Sequence, residues 1–138
     1  MNKGLIGIFE GYTKNQKTQM GVAKAQVYFT QLGYICHPTP PDCQCDWDMI
    51  IAKPFEEPLK VQIKTTGNKV SCGAYAVGLK DGGYVDDVCV KVPKDYDLLY
   101  ALDADGNESV WTKEELKNHK HSVHMKTSRR TSLARLPL

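Results

Sequence analysis

Three polar side chains in the middle of the chain are of the types that bind a divalent cation and act on a phosphate group. Asp48 directly precedes an apolar run, and Gln62 and Lys64 lie in a second run in which polar and apolar residues alternate. Magnesium prefers carboxylate, amide and water oxygens as ligands, and a nearby lysine can orient a water or stabilise a phosphate in the transition state. The residues predict a phosphodiester-hydrolysing site. Asp48, Gln62 and Lys64 are its expected catalytic residues, and Asp48 and Gln62 the ligands of Mg²⁺ or, alternatively, Mn²⁺.

A β-hairpin is the element that would bring these side chains together. The segment 59–64 alternates apolar and polar residues, which is typical of a strand with one buried face. A short, turn-like connection separates it from the apolar strand that follows Asp48, so the two strands are expected to pair antiparallel. With the turn near Phe55, Asp48 lies across from Gln62 and Lys64, and cross-strand neighbours are about 4.5–5.5 Å apart at Cβ.

Two alternatives to this interpretation stay open. Asp42 and Asp46 also precede the strand and compete for the first metal position; Asp48 is preferred because it lies directly before the apolar residues. Gln62 and Lys64 could also be no more than the solvated face of a half-buried strand, as alternating polar residues usually are.

A helix is predicted before the hairpin, beginning at Thr18 and ending at Gly33, since glycine tolerates the left-handed conformation that closes a helix. The apolar residues on its buried face are expected to be Val22, Ala25, Phe29 and Leu32. Residues 1–17 are weakly patterned and predict an irregular arm. Residues 34–36 begin an extended segment, and the proline-rich residues 37–42 predict a loop.

The second half of the sequence predicts further strands and a short helix. The expected elements are a strand at 74–79, a hairpin of 96–102 and 109–111 around Asp105-Gly106, and a helix from Lys113 to about Asn118 behind a Thr112–Glu115 capping box. The order of helix, strands and helix predicts a single α/β (α+β) domain over residues 1–138. Its sheet should be mixed, mainly antiparallel and flanked by helices.

The net charge of +2 hides an uneven distribution of charge along the chain. All three arginines, Arg129, Arg130 and Arg135, lie in the last ten residues, and Lys126 precedes them. A one-sided basic tail suits a polyanion, because each neutralised phosphate releases counterions. We expect Lys126 and these arginines to bind double-stranded or branched DNA; a solvated terminus is the alternative.

Cysteine usage and hydropathy indicate the compartment. The five cysteines are an odd number, which argues weakly against a disulfide framework. A zinc site formed by Cys36, His37, Cys43 and Cys45 is a disfavoured alternative, because the spacing is irregular. No apolar run is long enough to span a membrane, and the N-terminal residues do not resemble a signal peptide. The expected location is the cytoplasm of a prokaryotic or phage-infected cell, with no membrane partner.

The two hairpin segments CDWDMII and LKVQIKTT resemble the core of the PD-(D/E)XK nucleases. They are most similar to the small endonucleases encoded in cyanobacterial group I introns and their phage relatives, in which glutamine often occupies the second acidic position, as Gln62 does here. GVAKAQVYFTQLGYICHP resembles the first helix and strand of that family, and YDLLYALDADGNESVWTKEEL its late hairpin and helix.

This resemblance implies a restriction-endonuclease-like core and a homing-type, metal-dependent endonuclease that cuts double-stranded DNA as a homodimer or homotetramer. A Holliday-junction resolvase of the same fold, or a relative that binds DNA without cutting it, are the alternatives. The family usually carries an acid on the first helix, close to the position of Lys24. No Asp or Glu occurs between Glu10 and Asp42, so that ligand is missing here or comes from Glu10 or a partner chain.

Overall fold

The structure is a computed structural model that describes residues 6–40, 47–67, 75–79, 84–85, 88–89, 96–117 and 122–125. Its helices are a 3-10 helix at Gly7–Phe9, α1 at Lys14–Gln31 and α2 at Lys113–Leu116. Its strands are β1 (Ile35–Pro38), β2 (Met49–Ala52), β3 (Leu59–Thr66), β4 (Tyr75–Gly78), β5 (Tyr84–Val85), β6 (Val88–Cys89), β7 (Leu98–Asp103), β8 (Glu108–Thr112) and β9 (Ser122–Met125).

A five-stranded mixed sheet forms the centre of the fold. Its strand order is β1-β2-β3-β7-β8, in which only the β3–β7 pair is parallel. Strands β4 and β9 pair in a second sheet, and β5 and β6 in a third. This confirms the predicted fold class, a mixed, mainly antiparallel sheet with a helix against it. None of the helices in the described ranges is long and apolar enough to cross a membrane.

Helix α1 begins earlier than its apolar pattern predicts. Thr13 is the N-cap of a capping box: its hydroxyl accepts from Gln16 N–H at 3.1 Å, and the Gln16 side chain accepts from Thr13 N–H at 2.7 Å. This box satisfies two backbone N–H groups that a helix start leaves without partners. Before it, the residues predicted as an irregular arm include the 3-10 helix, where Phe9 is fully buried and Ile8 N–H donates to Ala104 O at 2.8 Å.

The two predicted hairpins are present. Strands β2 and β3 pair antiparallel with Met49 opposite Val61, and their turn is closed by a hydrogen bond from Glu56 N–H to Lys53 O. Strands β7 and β8 pair antiparallel, and the Thr112 capping box begins α2 as expected. The predicted loop at 37–42 is wrong for residues 37 and 38, which extend the edge strand β1. The predicted end of α2 near Asn118 lies outside the described residues.

A glycine allows α1 to lie directly on β3. A Cβ atom added to Gly21 would be 2.7 Å from the Thr65 methyl carbon and 3.3 Å from the Ile63 Cγ2 atom. Farther along the helix, the rings of Tyr28 and Phe29 contact Tyr100 of β7 at centroid distances of 5.6 and 6.1 Å. Helix α1 therefore covers the face of the sheet that carries the odd-numbered residues of β3, and Gly21 permits the closest approach.

We predict that Gly21→Val lowers the free energy of unfolding by about 1–3 kcal/mol, because the added atoms overpack a contact that is already tight. Chemical denaturation followed by circular dichroism measures the change. Gly78→Val is the control, since nothing lies within 4 Å of a Cβ at Gly78 and the residue is exposed in β4. A Gly21 variant as stable as the parent would contradict the close packing of α1 on β3.

Candidate active site

Asp48 lies in a bend directly before β2 and is bonded to β3 in two ways. Its N–H donates to Val61 O at 2.8 Å, and its carboxylate oxygen Oδ2 accepts from Ile63 N–H at 2.8 Å. Val61 is also the cross-strand partner of Met49. Asp48 and Met49 thus both face Val61, which is the arrangement of a β-bulge. A bulge changes the direction of the side chain at the extra residue.

The Asp48 backbone is also held from the side of β1. Thr39 N–H donates to Asp48 O at 3.0 Å, and the Thr39 hydroxyl donates to the same oxygen at 3.1 Å. The Asp48 carbonyl, N–H and carboxylate are therefore each bonded to an element of the central sheet or to the residue that follows β1. A functional side chain held in this way keeps its position without reorganisation when a ligand arrives.

Asp48 lines a small pocket between α1 and β3. The pocket has a volume of about 60 Å³ and is lined by Thr18, Val22, Asp48, Ile63 and Thr65. The Thr18 hydroxyl donates to Lys14 O, one turn earlier in α1, at 3.1 Å. The pocket therefore combines a carboxylate and two threonine side chains with apolar walls, and its volume suffices for several waters.

Gln62 and Lys64 are the neighbours of Ile63 within β3, and their side chains lie on the other face of the strand. Because side chains alternate along a strand, they point away from the face on which Ile63 and Thr65 meet Gly21. Gln62 is 9% exposed and Lys64 is half-buried.

In the structure, Asp48 is hydrogen-bonded to Ile63, the residue between Gln62 and Lys64. The register predicted from the sequence places Asp48 roughly across from both residues. Instead, the bulge aims it at the Ile63 backbone, and neither Gln62 nor Lys64 is among the described residues that line the pocket.

The donor set around Asp48 fits a magnesium-type ion that keeps most of its waters. Mg²⁺ is usually held by one or two carboxylates, with water and substrate phosphate completing its shell, and the pocket supplies one carboxylate and hydroxyl oxygens. Within the ranges that the structure describes, no group of three His, Cys, Asp or Glu residues could hold a metal. The competing acids Asp42 and Asp46 lie outside those ranges.

Helix α1 presents no acid to this pocket. Thr18 and Val22 are the helix residues that line it, whereas Lys24, the position that the family resemblance suggests for an acid, is two residues beyond Val22 and so about 160° around the helix. Sequence reasoning missed Thr18, Thr39 and Thr65. The one sequence signal for this part of α1 was Gly21, because a glycine inside a helical pattern often marks close packing.

Lysine and cysteine side chains near the site have structural contacts of their own. The Lys60 amine lies 4.5 Å from the centroid of the Trp47 ring, a cation–π contact on the same hairpin. The Cys36 thiol donates to Gln26 O at 3.8 Å, and burial raises its pKa, which favours the neutral thiol over a metal-binding thiolate. Cys43 and Cys45, the other thiols of the disfavoured zinc site, lie outside the described residues.

The predicted DNA-binding residues Lys126, Arg129, Arg130 and Arg135 also lie outside the described residues. The last described element before them is β9, which pairs antiparallel with β4. The contribution of the basic tail to DNA binding therefore stays a prediction.

The chain is similar in structure to a bacterial homing endonuclease, I-Ssp6803I. The likeness has a TM-score of 0.68 and 18% sequence identity, and it covers 91% of this chain and 84% of that chain. No protein-family model and no curated protein sequence matches the chain. The structural likeness therefore shows a shared fold, that of a restriction-endonuclease-like core in which a mixed sheet is flanked by a helix.

Proposed function

We propose that the chain is a divalent-metal-dependent endonuclease that hydrolyses phosphodiester bonds in double-stranded DNA at specific sites, as homing enzymes do. The observation that carries this proposal is the Asp48 carboxylate, which accepts a hydrogen bond from Ile63 N–H on the edge of β3, in a residue that also lines the pocket between α1 and β3. The fold shared with a bacterial homing endonuclease supports it. The proposed place of action is the cytoplasm of a prokaryotic or phage-infected cell.

The proposed chemistry assigns a role to each of the three polar residues. Asp48 would hold Mg²⁺, or Mn²⁺, and Gln62 would be the second oxygen ligand, which requires the Gln62 side chain to reach the edge of β3 where Asp48 lies. The bound ion would lower the pKa of a water and neutralise charge that develops on the phosphate. Lys64 donates hydrogen bonds to the attacking water or to a phosphate oxygen, where its positive charge favours the transition state over the ground state.

A DNA-binding protein without cleavage activity is the second candidate, and the α1 wall of the pocket favours it. Thr18 and Val22 line the pocket where a catalytic helix would be expected to offer a second carboxylate. With one carboxylate, the site would bind its ion more weakly than a site with two. A Holliday-junction resolvase on the same fold is a third candidate, and substrate preference distinguishes it from a homing enzyme.

Two copies are expected to act together on the DNA. A duplex has two strands to cut, and one small domain with one metal site can cut only one of them at a time. We therefore propose a homodimer or homotetramer, in which symmetry also lengthens the DNA sequence that is read.

We predict that Asp48→Asn lowers the cleavage rate on the order of 100-fold or more, because the metal ligand loses its charge. Asparagine keeps an oxygen that can accept from Ile63 N–H, so the fold and the affinity for duplex DNA should be retained. The measurement is cleavage of a randomised duplex library with Mg²⁺, read by sequencing the new ends, with binding followed separately by fluorescence anisotropy. Glu114→Gln, at an exposed acid of α2, is the control. Unchanged cleavage by Asp48→Asn would move the metal ligand to Asp46 or Asp42.

The same assay separates the three candidate functions when four-way junctions with unrelated arm sequences are included. A homing enzyme cuts one linear sequence far better than the others. A resolvase cuts every junction and is not inhibited by a large excess of linear duplex. A wild-type protein that binds DNA but cuts nothing with either metal is the inactive relative.

We predict that Lys64→Ala lowers the cleavage rate by about 10²- to 10³-fold, the loss typical when a group that stabilises transition-state charge is removed. Metal affinity, measured by calorimetry, should change little. Lys60→Ala is the matched control on the same strand, since the Lys60 amine lies over the Trp47 ring; it should lower stability slightly and leave the rate intact. If the Lys60 variant were the slower enzyme, the roles assigned along β3 would be wrong.

We predict that removal of residues 127–138 weakens DNA binding and reduces its dependence on salt. Each lost phosphate contact should lower the slope of log K against log salt concentration by about 0.9. Binding titrations at several salt concentrations measure the slope. Replacing Arg129, Arg130 and Arg135 together by glutamine separates charge from chain length and should give most of the same reduction. An unchanged slope would assign the arginines to folding or subunit contacts.

A further inference from the structure

The proline-rich segment at the end of β1 contains a single threonine, Thr39, which lies between Pro38 and Pro40. A proline ring fixes its own φ at about −65°, and a proline also keeps the residue before it in extended conformations. The backbone of residues 38–40 is therefore restricted before it makes any tertiary contact. A side chain on such a segment loses little further freedom when it is placed against a neighbour.

The backbone of Thr39 continues the pairing of β1 with β2 by one residue. The last pair of that ladder is Pro38 with Met49. Among residues 38–40 only Thr39 has a backbone N–H, since proline has none. That N–H donates to Asp48 O at 3.0 Å. The edge strand β1 thus reaches the residue that carries the proposed metal ligand.

The Thr39 side chain lies against both peptide groups that flank the Asp48 Cα atom. Its hydroxyl donates to Asp48 O at 3.1 Å and to Trp47 O at 3.4 Å, so the two carbonyls share its one hydrogen. The Trp47 carbonyl belongs to the planar peptide group before the Asp48 Cα, and the Asp48 carbonyl to the one after it. Rotation of either group would lengthen one of these bonds. The hydroxyl therefore restrains both backbone dihedral angles of Asp48.

Asp48 is a residue whose direction needs such a restraint. It is the extra residue of the β-bulge, which interrupts the regular β2–β3 ladder. Its carboxylate oxygen Oδ2 accepts from Ile63 N–H at 2.8 Å, and its own N–H donates to Val61 O. These two bonds hold Asp48 from the side of β3. Thr39 holds it from the opposite side, so the bulge lies between two supports.

The start of β3 provides an internal comparison. Lys60 N–H donates to the Asp97 carboxylate oxygen Oδ2 at 2.8 Å, which is the same kind of bond as that from Ile63 N–H to Asp48. Asp97 N–H donates in turn to Lys60 O. Neither of these bonds involves Thr39. A change at Thr39 should therefore affect the bond at Ile63 and spare the bond at Lys60.

We propose that Thr39 is a positioning residue for the metal site, whose hydroxyl fixes the direction of the Asp48 carboxylate. The inference rests on the proposed function, in which Asp48 would be a ligand of Mg²⁺ or Mn²⁺. Residues that orient a metal ligand without touching the ion typically change metal affinity or activity by about 10- to 100-fold when they are replaced. In this proposal Thr39 acts through Asp48 and contacts neither metal nor DNA.

Thr39→Val is the first variant, because valine keeps the backbone N–H and nearly the shape of threonine but lacks the hydroxyl. Hydrogen exchange in the metal-free full chain, followed by nuclear magnetic resonance, reports the position of the carboxylate without cleavage. We expect the Ile63 amide to exchange about tenfold faster, because its acceptor is no longer held in place. The Lys60 amide should exchange at its wild-type rate.

Metal affinity is the second measurement. Calorimetric titration with Mn²⁺ should show about tenfold weaker binding to Thr39→Val than to the wild-type chain. In the cleavage assay with Mg²⁺, kcat should fall while KM for the duplex changes little, since no DNA contact is removed. Thr39→Ser keeps the hydroxyl and should recover most of the lost affinity. Recovery by serine would assign the effect to the hydroxyl rather than to side-chain volume.

Thr66→Val is the matched control for the loss of a threonine hydroxyl that donates to a carbonyl. The Thr66 side chain is buried, and its hydroxyl donates to Ala76 O of β4 at 2.6 Å. Its replacement should lower the midpoint of chemical denaturation and leave the Mn²⁺ affinity unchanged. This comparison separates a general loss of stability from a displaced carboxylate.

Four results would overturn the proposal. They are wild-type values of Ile63 exchange or of Mn²⁺ affinity in Thr39→Val, equal acceleration of the Lys60 and Ile63 amides, no recovery by Thr39→Ser, and equal loss of Mn²⁺ affinity in Thr66→Val. In each case, weaker Mn²⁺ binding by Asp48→Asn would leave the proposed metal site standing. A wild-type chain that binds no Mn²⁺, or Mn²⁺ binding that Asp48→Asn does not weaken, would overturn the metal site and this inference together.

Discussion

Strand β3 needs a hydrogen-bonding partner on both of its edges, and that requirement shapes the candidate site. On one edge β7 pairs with it in parallel from Val61 to Thr66. On the other edge β2 pairs with it only as far as Val61. A backbone N–H that is buried without a partner is costly. Beyond Val61, β2 no longer supplies a partner for β3, and the Asp48 carboxylate accepts the hydrogen bond from Ile63 N–H instead. The proposed metal ligand is thus also a structural element of the sheet.

Helix α1 packs on β3 just beyond the point where the pairing of β2 with β3 ends. The helix can approach because Gly21 has no side chain to collide with Thr65. That approach places Thr18 and Val22 across the pocket from Asp48. The pocket therefore results from three features together: the early end of the β2–β3 pairing, the bulge at Asp48 and the close packing of α1 on β3. A change in any one of them would alter the position of the carboxylate relative to its surroundings.

The two faces of α1 have different roles in this account. The inner face packs against the sheet through residues such as Ala25 and Phe29, both fully buried. The outer face carries a groove that the sheet does not cover, lined by Tyr12, Gln16, Gln19, Met20 and Ala23. One helix thus forms a wall of the candidate active site on one side and an exposed groove on the other.

Local patterns in the sequence were sufficient for much of the fold. The alternation of residues 59–64 predicted β3, the Asp105-Gly106 turn predicted the β7–β8 hairpin, and Thr112 with Glu115 predicted the start of α2. Each of these signals acts between residues that are close in the chain. The start of α1 escaped prediction because its apolar spacing begins only several residues later, although Thr13 with Gln16 matches the capping-box pattern.

Only the tertiary structure decided how these elements meet. The hydrogen bond from Ile8 N–H to Ala104 O, beside the buried Phe9, joins residues almost a hundred positions apart, and no local pattern reports such a contact. Sequence reasoning selected Asp48, Gln62 and Lys64 by residue type and spacing, and regular pairing would have set all three on one face of the sheet. The bulge opposite Val61 changed the direction of Asp48. Whether a strand bulges depends on which backbone groups its partners leave unsatisfied, and the partners of β3 are known only once β2, β7 and α1 have packed against it.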